Sequence, residues 1–316
     1  MFLGQSPGLT IEDVFSVDTY TGNGTSQTIT NGIDLAGDGG LVWIKNRDVT
    51  QSHILTDSEK PLNNYLYSDT NQSQFNNFNA VTAFNSDGFD VGGSLLVNDL
   101  SNGHVAWTFR KSRKFFDVVT YSGNSTAGRT ISHNLDAVPG MIWIKCLNSS
   151  LNWRIYHTYL GNTKSRPLNN TDAPITSSGY WNNTTPTSSV FTLGSDNDVN
   201  VTGNDYVAYL FAEDTSDKIK CGGYIGNGTA SNTITTGFET QFLFVNLSDN
   251  GNNDYHVYDT TRGMIASSSH RLEANTSDIE VDTSANNFYS TSTGFVANNR
   301  YNVADWTYLY MAIAAP

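Results

Sequence analysis

Six histidines, two cysteines and a scatter of carboxylates are the side chains of this sequence that could do chemistry, and their spacing limits what they could do. His53, His104, His133, His157, His256 and His270 form no His-x-x-x-His or Cys/His pattern, so no metal site is expected. His157 and His256 both lie beside a tyrosine in related strings and read as one structural position of a repeat. Cys146 and Cys221 are too few for a disulfide framework and read as reduced packing residues. Gly4-Gln-Ser6-Pro-Gly8 matches the nucleophile-elbow string, but the elbow needs a strand before it and a helix after it, and only three residues precede this one. Paired carboxylates could cleave a glycan, yet Glu12, Glu59, Glu213, Glu239, Glu273 and Glu280 share no repeated position. Asp196-Asn-Asp198-Val-Asn200 alternates oxygen ligands as calcium loops do, but its twelfth position is Val207, where an EF-hand needs a bidentate glutamate; the string reads as a turn cap. No catalytic residue, metal or cofactor is expected.

Binding chemistry has one sequence candidate. Trp153, Arg154 and Trp181 lie in an aromatic stretch interleaved with asparagine and basic residues, the composition of a surface that stacks on sugar rings and bonds their hydroxyls. The same composition suits a β core with Asn-rich loops. The net charge of −13 disfavours nucleic acid, which needs a basic face. The charge is uneven: residues 1–109 carry 3 basic and 12 acidic side chains, 110–212 carry 9 and 6, and 213–316 carry 5 and 12. No apolar run reaches the roughly 18 residues of a membrane helix, and the opening resembles no secretory signal, so neither membrane nor general secretion is expected.

The elements that must position these residues follow from composition. Asn, Ser and Thr number 36, 32 and 36 among 316 residues, and such residues favour turns and strand surfaces over helix interiors. Short β-branched and aromatic runs separated by Gly, Asn, Asp and Ser clusters predict an all-β fold. One string recurs: Val17-Asp-Thr-Tyr20-Thr-Gly-Asn23, Val118-Val-Thr-Tyr121-Ser-Gly-Asn124 and Cys221-Gly-Gly-Tyr224-Ile-Gly-Asn227, at intervals of 101 and 103 residues. Apolar strings follow each in the same order: Leu41-Val-Trp43-Ile-Lys45, Met141-Ile-Trp143-Ile-Lys145 and Leu243-Phe-Val; then Val105-Ala-Trp107, Val207-Ala-Tyr209 and Tyr310-Met-Ala. A period near 100 exceeds the roughly 20–50 residues of solenoid repeats, so each copy is expected to hold its own core. The expectation is three tandem β-sandwich, jelly-roll-like modules over residues 17–112, 113–216 and 217–316, with the Gly-Asn turns closing tight hairpins. Their linkers are short and charged, which predicts a fixed arrangement. Residues 1–16 form an apolar arm in which Phe2, Leu3, Leu9, Ile11 and Phe15 are candidate docking residues.

The strings TYTGNGTSQTITNGIDLAGDGGLVWIKNRD, VVTYSGNSTAGRTISHNLDAVPGMIWIK, NWRIYHTYLGNTK and VFTLGSDNDVNVTGNDYVAYLFAED resemble the repeat modules of virion surface proteins in marine tailed bacteriophages, notably cyanophages and pelagiphages. The resemblance runs from about residue 17 onward. It implies a non-enzymatic virion structural protein exposed on the particle surface, a capsid-attached decoration, knob or fibre. The implied partners are other copies of the chain, most simply as a homotrimer, and phage capsid or tail proteins. The alternative is a tail fibre or receptor-binding protein that recognises host surface polysaccharide. No catalytic residues are carried over.

Overall fold

Strand pairing in the computed structural model, which describes residues 8–215, 217–248, 253–283 and 287–316, is antiparallel throughout. The protein is all-β, and its helices are single turns such as Leu95–Asn98 and Asn197–Asn200. One strand order occurs three times. Phe15–Thr21, Gly103–Arg110, Gly40–Asn46 and Ile54–Asp57 lie side by side in the first sheet; Phe116–Ser122, Asp205–Ala212, Pro139–Cys146 and Arg154–His157 do so in the second. Ile219–Ile225, Thr307–Ala314, Thr240–Leu247 and His256–Asp259 repeat the order in the third. Each sheet is faced by a smaller one, built on the pairs Gln27–Thr30 with Gly88–Val91, Arg129–Ser132 with Val190–Leu193, and Asn232–Thr235 with Gly294–Ala297.

Two details differ from the sequence expectation. The Gly-Asn turns do not close hairpins, because Phe15–Thr21 pairs with Gly103–Arg110 while Gln27–Thr30 pairs in the other sheet. They are arches that carry the chain from one layer to the other. The third sheet also reaches back to Asp214–Thr215, which pairs with Lys220 and Ile219.

Gly40–Asn46 is buried at all seven positions, and the reason lies in its two faces. Val42 and Ile44 point with Ile54 and Ala106 toward Ile29, Val81, Phe89 and Val91 of the smaller sheet. Leu41 and Trp43 point the other way with Leu55, Trp107 and Phe109. A strand covered on both sides has no solvent face to keep polar, so Leu41–Ile44 is continuously apolar instead of alternating.

The second face adds to the core inside a copy, such as that of Val42 and Ile44, a core that the three sheets share. One cluster runs from Ile11 to Ala314 and draws on all three sheets. Trp43, Trp143 and Phe244 hold corresponding places in their sheets, opposite Trp107, Tyr209 and Met311. The three rings meet, with centroids 5.6 Å apart for Trp43–Trp143, 5.1 Å for Trp143–Phe244 and 6.5 Å for Trp43–Phe244. Phe109 extends the contact to Phe211 at 5.7 Å and Phe242 at 6.2 Å. The sheets therefore close a ring about a shared aromatic centre. Each such ring pair adds ~0.5–1.5 kcal/mol beyond its buried area.

Candidate functional site

The repeated Tyr-x-Gly-Asn string builds the same local network three times. Tyr20, Tyr121 and Tyr224 donate their hydroxyls to the carbonyls of Val97, Val199 and Tyr301, at 2.6, 2.8 and 2.9 Å. The backbone N–H of Asn23, Asn124 and Asn227 donates to the side-chain carbonyl of the buried Asn98, Asn200 and Asn302. Those amides return bonds to the carbonyls of Thr25, Thr126 and Thr229. The glycine is required by close approach: a Cβ on Gly22, Gly123 or Gly226 would lie 2.0, 2.1 or 2.0 Å from the carbonyl oxygen of Asp99, Val201 or Val303. The motif holds an arch and presents no reactive group.

The groups with chemical potential gather instead at the three seams of the ring. At one seam, Tyr209 donates to Asp57 at 2.6 Å, and Asp57 also pairs with Lys60. At the next, the Trp107 indole donates to Asp259 at 3.0 Å, and Asp259 pairs with Arg262 at 2.6 Å. Arg262 continues to Glu280 at 2.8 Å, and Glu280 meets Arg47 across the seam at 2.6 Å. Burial alone would raise the Glu280 carboxyl, but the two arginines hold it below its ordinary value. At the third seam His157, opposite Met141 as Asp259 is opposite Phe242, donates from Nε2 to the Tyr310 carbonyl at 3.1 Å. His157 therefore corresponds to Asp259 and not to His256, which corrects the shared position read for the two histidines.

A second set of bonds crosses the seams just outside these. His53 accepts from the Trp43 indole through Nδ1 at 2.9 Å and donates from Nε2 to the Glu273 carbonyl at 3.0 Å, and the Trp153 indole donates to the Tyr67 carbonyl at 2.8 Å. Tyr255, at the corresponding place, receives the Arg166 guanidinium over its ring at 5.5 Å. Burial lowers the pKa of His53, His104, His133, His157 and His256, to about 4 for His157. These imidazoles are neutral near pH 7.

The sugar-stacking candidates are corrected by their placement. Trp153, Arg154 and Trp181 are 0%, 6% and 1% exposed, so none offers a face to a sugar. Trp153 seals a seam, Arg154 is spent on Asp198 at 2.7 Å and on the Tyr180 ring, and Trp181 packs edge-on against Tyr156. Asp196 caps the turn Asn197–Asn200, with Asp198 held by Arg154 and Asn200 by the arch; the alternating oxygens are already used. Cys146 and Cys221 are free and buried. The Gly4-to-Gly8 string and the docking candidates Phe2 and Leu3 lie outside the described residues, apart from Gly8.

The arm divides in the structure. Ile11 and Phe15 belong to the shared core, and Phe15 already pairs with Phe109 in the first sheet, so neither is available for docking. Leu9 is exposed and, with Gly8, lines an open bowl of about 1030 Å3 shared with Lys111, Arg113, Lys114 and Lys218. Arg110, Lys111 and Lys218 are paired with Asp38, Glu59 and Asp217. Arg113 and Lys114 are exposed and form no ion pair with a described residue. No described helix is long and apolar enough to cross a membrane.

Sequence reasoning missed the seams because bonds such as Trp153–Tyr67, Tyr209–Asp57 and Trp107–Asp259 cross 86 residues or more. It also missed a cluster of Asp254, His256 and Glu273, whose signal was the alternation Asp-x-His entering a strand. The chain belongs to a family described as a domain of unknown function (DUF7483), which matches residues 11–316. No curated protein and no solved structure matches the chain. The match begins at Ile11, the first residue of the shared core.

Proposed function

We propose that this chain is a non-enzymatic structural protein of a bacteriophage virion, exposed on the particle surface as a capsid-attached decoration, knob or fibre. The repeat strings suggest the setting, and the closed ring is the observation that carries the reading. Side chains able to do chemistry, among them Asp57, Lys60, Asp259, Arg262 and His157, are used to lock the sheets together. Surfaces, in this reading, perform the function. The three sheets already close a ring within one chain, which supports reading a single chain as the building unit in place of the homotrimer that the resemblance implies. Its docking end is the bowl, where Leu9 stands beside Arg113 and Lys114, which form no ion pair with a described residue, in a chain of net charge −13.

Deleting residues 1–9 tests this without touching Ile11, Val14 or Phe15 of the core. The truncated protein is expected to fold normally and to be lost from purified particles, and imaging of labelled virions should place the intact chain on the head. Normal incorporation of the truncated chain would defeat docking through this end. Absence of the intact protein from particles would defeat the virion reading itself. The polysaccharide-binding alternative has lost the three side chains that argued for it.

A further inference from the structure

We propose that Asp254, His256 and Glu273 form a divalent-metal site selective for zinc. His256 opens the strand His256–Asp259 and lies directly opposite Glu273 of Ser269–Glu273, so the two side chains leave the same face of the sheet. Asp254 stands two residues before His256, the spacing that returns an extended chain to the same side. One ligand atom from each residue lies within 4.8 Å of the others.

The imidazole supplies the second observation. His256 is 3% exposed, and its Nε2 is buried without a hydrogen-bond partner. Nε2 stands 3.4 Å from Glu273 Oε1. That is too long for a charge-assisted N–H···O bond, which closes to about 2.7–2.9 Å. It matches the ~3.3 Å between two ligands bound at about 2.0–2.1 Å to one tetrahedral zinc. The imidazole and the two carboxylates thus converge, with Nε2 left without a hydrogen bond. A metal ion satisfies all three at once.

The surroundings fit a second shell. Asn275 donates to Asp254 Oδ1 at 2.7 Å and accepts from the Tyr255 N–H, and Arg271 holds Glu273 Oε1 at 2.9 Å. Such contacts orient ligands. Arg271 also opposes a cation, which selects against weakly held calcium or magnesium and favours a metal that gains from an imidazole ligand. The other copies show that the histidine is not dictated by the fold. Opposite Ile44 the first sheet has Ile54, opposite Ile144 the second has Arg154, ion-paired to Asp198, and opposite Val245 the third has His256.

Calorimetric titration of the metal-stripped full chain with zinc chloride, with calcium and magnesium chloride in parallel, tests the site. One equivalent of zinc should bind, with calcium and magnesium at least ~100-fold weaker. Asp254→Asn and Glu273→Gln, which preserve shape, should each weaken zinc by ~10-fold or more, and His256→Ala by ~100-fold. His270→Gln, at a histidine beside Glu280 and Asp282, should bind as the unaltered chain does. Circular dichroism checks that each variant is folded, and the two carboxamide variants decide the matter if His256→Ala is not. No zinc uptake at ~100 μM, calcium binding as tight as zinc, or undiminished binding by both carboxamide variants would overturn the proposal.

Discussion

His157 shows how much of the molecule's energetics rests on histidines kept neutral. It is fully buried, donates to the Tyr310 carbonyl from Nε2 and accepts the Tyr159 N–H at Nδ1. Burial lowers its pKa to about 4, against ~6.5 in an unfolded chain. Because the unfolded state takes up the proton first, stability is complete above pH ~6.5 and is lost as pH falls toward about 4, by up to ~3 kcal/mol for this residue. Urea denaturation at pH 7, 5.5 and 4.5 should show the fall, and His157→Gln should flatten it. An unchanged slope in that variant would show that the seam imidazole is not the acid-sensitive group. At this scale the sequence was least legible. Trp153, Arg154 and Trp181 look like a sugar-binding surface when only their types are known, and burial at a seam is a property of their distant partners.

The arches are the element in which local reading and tertiary structure meet. The strings Tyr-x-Gly-Asn were recognisable as turns, and positive φ at Gly24, Ser125 and Gly228 agrees with that. Their reading as hairpins failed because each turn takes its anchoring bonds from an asparagine about 75 residues later, Asn98, Asn200 or Asn302. Strands were easier to read than connections, since continuous apolar runs such as Leu41–Ile44 and Met141–Ile144 announce burial on both faces without naming what lies beyond. Asn200 makes the weight of the arch measurable. Its amide accepts from Asn124 N–H at 3.0 Å and donates to the carbonyls of Thr126 at 3.0 Å and Gly194 at 2.8 Å. Asn200→Ala removes all three bonds and leaves the Gly194 carbonyl buried and unpaired, which should cost about 3 kcal/mol in chemical denaturation. Loss of under ~1 kcal/mol would mean that the arch is held by other contacts.

For the whole molecule, the decisive quantity is how much of each copy's apolar surface is covered by the other two. In the second sheet Met141, Trp143, Tyr209 and Phe211 face the shared centre, against Trp43, Phe244, Phe109 and the Asp57 carboxylate. Cutting the chain at its linkers would return those four side chains to water. At ~1.5–3 kcal/mol each the loss is about 6–12 kcal/mol, comparable with the ~5–15 kcal/mol that holds a typical domain together. A segment spanning residues 110–216 is therefore expected not to persist as a folded monomer; in light scattering it should be unfolded or self-associated, with a threefold self-complex the one closed way to rebuild the ring. The intact 34.6 kDa chain should run as a monomer and unfold in one thermal transition, because no sheet can leave without exposing the aromatic centre of the others. A sharp, independent transition in a monomeric 110–216 segment would show that each copy holds itself together, and would return the molecule to three beads on a string.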